Sequence, residues 1–318
     1  MSKRPVLKLL KIVLPILLGA FLIWYSLSKL SFQDILDFAK NANYGYILLG
    51  VFFGLLSHLS RAYRWVFMLE PLGYKIKLGN SIMAVFATYL INYTIPRAGE
   101  VARASILTNY EGVPFEKGFG TIVAERIADM IVMLGIIAVT LFIQFDFIYN
   151  FLVAKFDLTK VIFAGSVLAI LGVIFIVVLR CSTSRIALKI KGFVSGLIEG
   201  GLSIFKMKKK WAFIFHTLFI WVMYLLMFYV TTLAFSDLNS IPFGAILIGF
   251  ILATFSVAAT NGGIGSYPEA IVIAFSLFSL PEDPSRAFGW IMWSSSTILI
   301  FICGGISLLY LPFFNRNK

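Results

Sequence analysis

The chain has 318 residues, of which 60% are hydrophobic and only 13% are charged. Soluble domains carry about 25% charged residues, so this composition excludes a water-exposed globular protein and predicts an integral membrane protein. The net charge of +12 does not indicate nucleic-acid binding, because most of the basic residues flank apolar segments, where they mark the cytoplasmic side of a membrane.

The apolar segments predict an all-α protein. A helix needs about 20 apolar residues to cross a bilayer, and the following stretches meet that requirement: residues 9–27, 44–69, 119–145, 161–179, 211–235 and 289–313. The first follows a basic N-terminus and has no clear signal-cleavage site, so we interpret it as a retained helix with its N-terminus in the cytoplasm. Residues 31–40 and 184–205 are amphipathic and are predicted to lie on the outer and the cytoplasmic interface.

Two other apolar stretches are interrupted by Pro or Gly. Residues 78–95 run into Pro-Arg-Ala-Gly-Glu at 96–100, and residues 243–260 run into the glycine-rich segment 261–269. Each pattern predicts a helix, a break and a second helix. If residues 78–107 form a re-entrant hairpin, most of the 27 Lys and Arg residues face the cytoplasm, whereas a full crossing would place the basic loop outside. The positive-inside rule therefore favours the hairpin.

The order of these elements repeats. Residues 1–145 and residues 161–313 each contain two spans, a broken hairpin and a third span. Three crossings per half invert the second half in the membrane, an arrangement typical of transporters. We therefore predict a single membrane domain over 1–318, with about six full transmembrane helices and two re-entrant broken-helix hairpins in an inverted repeat. The basic segment 180–210 and both termini are predicted to be cytoplasmic.

Charged residues within the predicted membrane segments are candidates for function, because burying a charge in lipid is unfavourable. They are Arg61, Arg64, Arg97, Glu100, Arg103, Glu125, Arg126, Asp129 and Glu269. One interpretation is a set of buried structural ion pairs, although such pairs are often neutral or unfavourable for stability. The other is an electropositive cavity for an anionic head group, since arginine matches phosphate oxygens with a planar fork. Unpaired N–H groups at the helix N-termini of both breaks would add to it.

Several residues near the second break have two interpretations. Gly262, Gly263 and Gly265 either let the backbone approach a ligand or pack helices closely. Glu269 has no arginine within a helical turn in sequence, so we expect its partner to come from the other half of the bundle. That placement makes it the candidate for proton-coupled transport.

Enzyme motifs are absent from the sequence. It contains no nucleophile elbow, zinc-protease or P-loop motif, and we predict no cofactor and no metal site. Cys181 and Cys303 lie far apart and give no disulfide framework. His58 lies one turn before Arg61 and could serve a lipid phosphatase or transferase, but it is better explained as a polar packing residue. The chain is therefore predicted not to be an enzyme.

Four motifs resemble a known family: RAYRW at 61–65, NYTIPRAGEVAR at 92–103, ERIAD at 125–129 and GGIGSYPE at 262–269. In their order and spacing they are similar to the transmembrane, flippase-like domain of lysylphosphatidylglycerol synthases and their stand-alone relatives. The resemblance implies movement of a phospholipid or lipid-linked molecule between leaflets, and adds Asn92 to the candidate binding residues. Asn261 is a further candidate at the second break, although residues 259–261 depart from the proline-rich approach expected of the family. No aminoacyl-transfer domain follows Lys318, so lysine transfer by this chain is not expected.

The leading hypothesis is a multi-pass lipid flippase of the cytoplasmic membrane that binds an anionic head group between the hairpins. One alternative is a membrane enzyme that acts on a lipid phosphate. Another is a non-catalytic partner of a separate synthase or glycosyltransferase. The sequence is also compatible with a homo-oligomer, and it does not identify the lipid.

Overall fold

The computed structural model describes residues 4–95, 97–155 and 207–316, together with isolated positions between 163 and 191. These residues form helices joined by short turns, and none of them lies in a strand. In chain order the helices are α1 (Arg4–Lys29), α2 (Phe32–Asn41), α3 (Tyr44–Leu69), α4 (Leu78–Thr94), α5 (Ala98–Glu111), α6 (Phe115–Ile143), α7 (Phe145–Lys155), α8 (Lys210–Thr232), α9 (Phe243–Ala259), α10 (Ser266–Ser276) and α11 (Glu282–Phe314).

Helix length and composition establish a membrane protein. Among the described helices, α6, α8, α11 and the segment Tyr44–Leu72 are long and apolar enough to cross a bilayer. On α11, Leu309 and Phe313 expose 74% and 71% of their surface. Such exposure is unfavourable in water but favourable against lipid tails. The protein is therefore an all-α membrane protein, as predicted.

The helix boundaries agree with the predicted spans except at some ends. Helix α3 matches the span 44–69, and α1, α8 and α11 contain most of the spans predicted there. The span 119–145 is wrong at its end, because α6 stops at Ile143 and α7 follows. Helix α11 begins at Glu282 rather than at residue 289, since Pro281 is its N-cap and two acidic residues occupy its first turn. The predicted segments 161–179 and 184–205 lie outside the continuously described residues.

The amphipathic segment at 31–40 forms α2, and its N-terminus explains why the helix begins there. The Ser31 hydroxyl accepts a hydrogen bond from the Asp34 amide at 3.2 Å, while the Asp34 carboxylate accepts one from the Ser31 amide at 3.3 Å. This capping box satisfies two amides that the first helical turn leaves without partners. Only Ile35 of this helix is buried, which fits a helix that lies on a surface.

The chain divides into two compact units. One contains residues 1–122 and 211–318, and the other contains residues 123–210. In the first unit, α4 packs against α3, α5 and α11, while α10 packs against α9, α11 and α1. In the second unit, α6 continues from Val123 and α7 follows it.

Small residues allow the helices of the first unit to approach closely. Gly304 of α11 faces Leu90 of α4, and a Cβ added to Gly304 would lie 2.7 Å from the Leu90 side chain. Gly289 faces Pro268 of α10, where an added Cβ would lie 2.5 Å from the Pro268 Cα. Helix association in lipid depends on such contacts, because apolar burial contributes little there. These glycines therefore hold α11 against both interrupted segments.

Candidate functional site

The first interruption lies between α4 and α5. Helix α4 ends at Thr94 and α5 begins at Ala98. Between them, Arg97 has φ +63° and ψ +6°, a left-handed conformation that is uncommon for a residue with a side chain. Arg97 is exposed. A strained residue at a break in a helix suggests a functional constraint.

Asn92 holds this break together. Its Oδ1 accepts a hydrogen bond from the Gly99 amide at 2.8 Å, and its Nδ2 donates to the Glu100 carboxylate at 3.3 Å. The Ala98 amide donates to the Ile95 carbonyl at 3.1 Å. The expectation of unpaired N–H groups at this helix N-terminus is therefore wrong for two of the amides. An anion at this break would meet the guanidinium of Arg97 rather than those backbone donors.

The second interruption separates α9 from α10. Gly262, Gly263 and Gly265 have φ of +69°, +83° and +68°, a region that residues with side chains rarely adopt. Gly265 also lies against the backbone of α1, since an added Cβ would be 2.6 Å from the Ile23 nitrogen. The turn and this helix contact explain the glycines without a ligand, so the packing interpretation suffices for them.

The two interruptions contact each other. Asn261 Nδ2 donates a hydrogen bond to the Tyr93 carbonyl at 3.1 Å, and a Cβ added to Gly262 would lie 2.7 Å from the Tyr93 ring. Helix α11 contacts both, because Thr297 is hydrogen-bonded to the Tyr93 hydroxyl at 3.0 Å and Trp293 donates to the Gly262 carbonyl at 2.8 Å. Sequence reasoning missed these two α11 residues, although their spacing of four places them on one helical face.

Arg64 and Arg103 lie in the protein interior. Arg103 is 1% exposed, and its guanidinium lies 3.8 Å from the centre of the Trp65 ring. The Trp65 indole donates to the Thr121 hydroxyl at 2.8 Å. Arg64 has no exposed surface and donates to the Thr217 hydroxyl at 2.8 Å. These arginines therefore connect helices, whereas Arg97 is open to its surroundings.

Arg61 lies deep on the same helix as Arg64. It is 3% exposed and follows His58 by one turn. The His58 ring packs against the rings of Tyr89 and Tyr224, with centroids at 4.6 and 6.0 Å. This aromatic environment agrees with the packing role expected of His58.

We expect Trp65→Phe to destabilise the protein by about 2 kcal/mol. The substitution removes the indole hydrogen bond to Thr121 and reduces the ring face on which Arg103 stacks. The measurement is the thermal unfolding midpoint of the purified protein in detergent. Trp211→Phe is the matched control, because Trp211 is 75% exposed and its replacement should leave the midpoint unchanged. Equal midpoints for the two variants would contradict the structural role of the Trp65–Arg103 stack.

The acidic motif on α6 lies in the second unit. Glu125 and Asp129 are both buried, with 0% and 6% exposure, and Arg126 is partly exposed. Their spacing of four places Glu125 and Asp129 on one helical face, and both are buried, whereas Arg126 lies on another face.

Glu269 has a partner within its own half of the chain. Its Oε1 accepts a hydrogen bond from Arg286 Nε at 2.9 Å, and its Oε2 accepts one from Nη2 at 3.4 Å. The expectation of a partner from the other half is therefore wrong. Sequence reasoning missed Arg286 because the predicted span began at residue 289, beyond the first turns of α11. The available signal was the apolar run that begins at Ala287, directly after Arg286.

Metal-binding side chains are not grouped in the part of the chain that the structure describes. No three His, Cys, Asp or Glu residues there are placed to hold a metal ion.

One close polar pair joins α3 and α8, where Ser60 Oγ lies 2.8 Å from His216 Nδ1.

Comparisons with known proteins identify the family of this chain. The sequence profile of the Lysylphosphatidylglycerol synthase TM region matches residues 12–305. A UPF0104 membrane protein of Methanocaldococcus jannaschii is 24% identical over 332 aligned positions, covering 95% of this chain and 96% of that protein. The glycosyltransferase AglD of Haloferax volcanii is 32% identical over 82 residues, covering 26% of this chain and 13% of that protein. No solved structure matches significantly. The chain therefore belongs to the family of the lysylphosphatidylglycerol synthase transmembrane region.

Proposed function

We propose that the protein moves an anionic phospholipid or a lipid-linked molecule between the leaflets of the cytoplasmic membrane. The observation that supports this most is the contact between the two interrupted helical segments, where Asn261 reaches the Tyr93 carbonyl. Helix breaks at membrane depth are tolerated where they line a cavity or are buried in protein. In transporters, such breaks meet at the substrate site.

Arg97 is the head-group ligand in this proposal. It lies at the first break, it is exposed, and its backbone is held in an unfavourable conformation. Such strain costs about 1–3 kcal/mol and persists where the surrounding structure imposes it. Arg64 and Arg103 instead position α3, α5 and α8, since their guanidinium groups already contact protein side chains.

The proposal includes two re-entrant hairpins in an inverted repeat. Helix α5 has 14 residues and α10 has 11. At 1.5 Å per residue these helices extend about 21 and 17 Å, which is too short for a hydrocarbon core of about 30 Å. Each pairs with the helix that precedes it, so each pair can enter and leave the membrane on one side.

This topology places both termini and the basic segment that ends at Lys210 in the cytoplasm. We expect a cysteine introduced by Lys208→Cys, with Cys181 and Cys303 replaced by alanine, to resist an impermeant thiol reagent in intact cells and to react after permeabilisation. Gln33→Cys on α2 is the control and should react in intact cells. Reaction at position 208 in intact cells would contradict the hairpin topology.

Reconstitution of the purified full-length chain tests the function itself. Liposomes with a fluorescent phosphatidylglycerol report sidedness when an impermeant reductant quenches the outer leaflet. A transporter increases the quenched fraction and leaves the lipid chemically intact. Liposomes without protein, and liposomes with heat-denatured protein, are the controls. Unchanged sidedness in the presence of folded protein would contradict the proposal.

A membrane enzyme is the second candidate. The contact between Ser60 Oγ and His216 Nδ1 has the geometry of a hydroxyl nucleophile beside a base. Mass spectrometry of the lipids from the same liposomes distinguishes the two functions, because an enzyme would change lipid mass. The local similarity to the glycosyltransferase AglD keeps a lipid-linked sugar among the substrates to be tested, and a separate glycosyltransferase among the partners.

A further inference from the structure

A pocket of about 520 Å³ opens between the C-terminal half of α1, helix α10 and the first turns of α11. Its volume lies within the range of small-molecule binding sites. Leu22, Val272 and Ile273 form an apolar wall, while Lys29 and Glu282 provide charged groups. This arrangement suits a lipid, because the acyl chain can contact the apolar wall while the head group contacts the charged side chains.

Acidic and basic side chains line this pocket in equal numbers. Arg286 Nη2 lies 3.7 Å from the Glu282 carboxylate, and Arg286 Nη1 lies 3.8 Å from that of Asp283. Glu269 is hydrogen-bonded to the same guanidinium, as described above. Lys29 is the other cation among the described pocket residues, so the two carboxylates that line the pocket, Glu269 and Glu282, face two basic groups. A ligand that carries one positive and one negative group would keep this balance.

The exposed fractions show which charges a ligand can reach. The Arg286 side chain is 4% exposed and that of Glu269 is 14% exposed. These two groups therefore pair mainly with each other and are little accessible to a ligand. The Glu282 side chain is 64% exposed. Lys29 is also exposed, and its ammonium lies 5.7 Å from the centre of the Tyr25 ring. An accessible carboxylate and an accessible ammonium therefore lie in the same pocket.

We propose that this pocket binds a phospholipid whose zwitterionic head group carries a primary amine beside its phosphate. The amine donates to Glu282, and the phosphate accepts from Lys29. The acyl chain lies along Leu22 and Ile273. A primary ammonium has N–H donors for the carboxylate, whereas a trimethylated ammonium has none. An anionic head group without an amine would bring no cation to the exposed Glu282 carboxylate.

This binding site is independent of the transport proposed above. It uses none of the polar groups assigned at the first break, and it requires binding rather than movement of a lipid. Loss of scrambling in an Arg97 variant would leave the pocket unaffected. Loss of lipid selectivity in a Glu282 variant would likewise say nothing about whether Arg97 contributes to scrambling.

Native mass spectrometry of the full-length protein tests the proposal. The protein is released from detergent after incubation with equal amounts of phosphatidylethanolamine, phosphatidylcholine and phosphatidylglycerol of identical acyl chains. We expect the ethanolamine lipid to be retained most. Glu282→Gln should reduce the ratio of bound ethanolamine lipid to bound glycerol lipid about threefold, the effect of one exposed charge pair. Glu282→Lys should reverse the preference.

Two further variants separate this pocket from other lipid contacts. Glu116→Gln is the matched control, since Glu116 is an exposed glutamate in the first turn of α6 and should not alter the ratio. Ile273→Trp fills the pocket without a change in charge and should reduce retention of the ethanolamine lipid. The proposal is overturned if the choline lipid is retained as well as the ethanolamine lipid. It is also overturned if both Glu282 variants keep the wild-type ratio.

Discussion

Arg97→Ala is expected to slow lipid scrambling in proteoliposomes at least about tenfold while the protein remains folded. Arg97 is exposed at the break between α4 and α5, so its side chain contributes little to packing. A charge-assisted hydrogen bond to phosphate contributes about 1.5–3 kcal/mol, and the loss of one such contact should slow the rate about tenfold or more. The measurement is the rate of fluorescence loss after addition of the impermeant reductant.

Two further variants test whether the effect depends on the donor geometry of Arg97 and whether it is specific to this position. Arg97→Lys should retain part of the activity, because an ammonium keeps the charge but not the planar fork of donors. Arg316→Ala is the matched control, since Arg316 is another exposed arginine near the C-terminus, and it should transport at the wild-type rate. A wild-type rate for Arg97→Ala would refute the proposed head-group contact. If that variant does not fold, Arg97 has a structural role instead.

Gly99→Ala is expected to destabilise the protein by about 3 kcal/mol, near the upper end for an overpacked site. A Cβ at this position would overlap the Thr88 carbonyl oxygen of α4 and would lie 2.8 Å from Asn92 Oδ1. The Thr88 oxygen belongs to the helix backbone and cannot rotate away. The Asn92 oxygen is already fixed by its hydrogen bond to the Gly99 amide. Accommodating the methyl group therefore requires α5 to move away from α4.

The unfolding midpoint in detergent measures this effect, and monodispersity on size exclusion reports correct folding. Gly305→Ala is the matched control, because Gly305 lies within α11 and an added Cβ there has no neighbour within 4 Å. Alanine is the better helix former by up to about 1 kcal/mol, so this variant should be as stable as the wild type or slightly more stable. Equal loss of stability in both variants would contradict the close α4–α5 contact.

The class of the protein and many of its helices can be predicted from the sequence. Hydrophobicity and length identify a membrane helix because lipid tolerates few charges and no unsatisfied backbone groups. The positions of both interruptions follow from Pro and Gly residues, because Pro removes a backbone donor and Gly adopts positive φ at little cost. The structure ends α4 at Thr94 and α9 at Ala259, close to the predicted ends at residues 95 and 260.

The roles of the charged residues depend on tertiary contacts. Arg97 and Arg103 belong to one sequence motif, yet the first is exposed and the second stacks on Trp65. Trp65 comes from α3, so no local pattern around Arg103 indicates the stack. Hydropathy also fails to predict the partner of Glu269, because it starts the last span at residue 289, whereas α11 begins at Glu282 and includes Arg286.

The amino-acid sequence alone is enough to predict an all-α membrane protein whose helices are interrupted at two places. These properties follow from short-range rules, since hydropathy and backbone restrictions act within one segment. Helix packing, in contrast, brings Asn261 of the second break to Tyr93 of the first and pairs Arg286 with Glu269. Those contacts join residues that are distant in sequence or belong to different helices. Their geometry depends on how closely small residues allow the helices to pack.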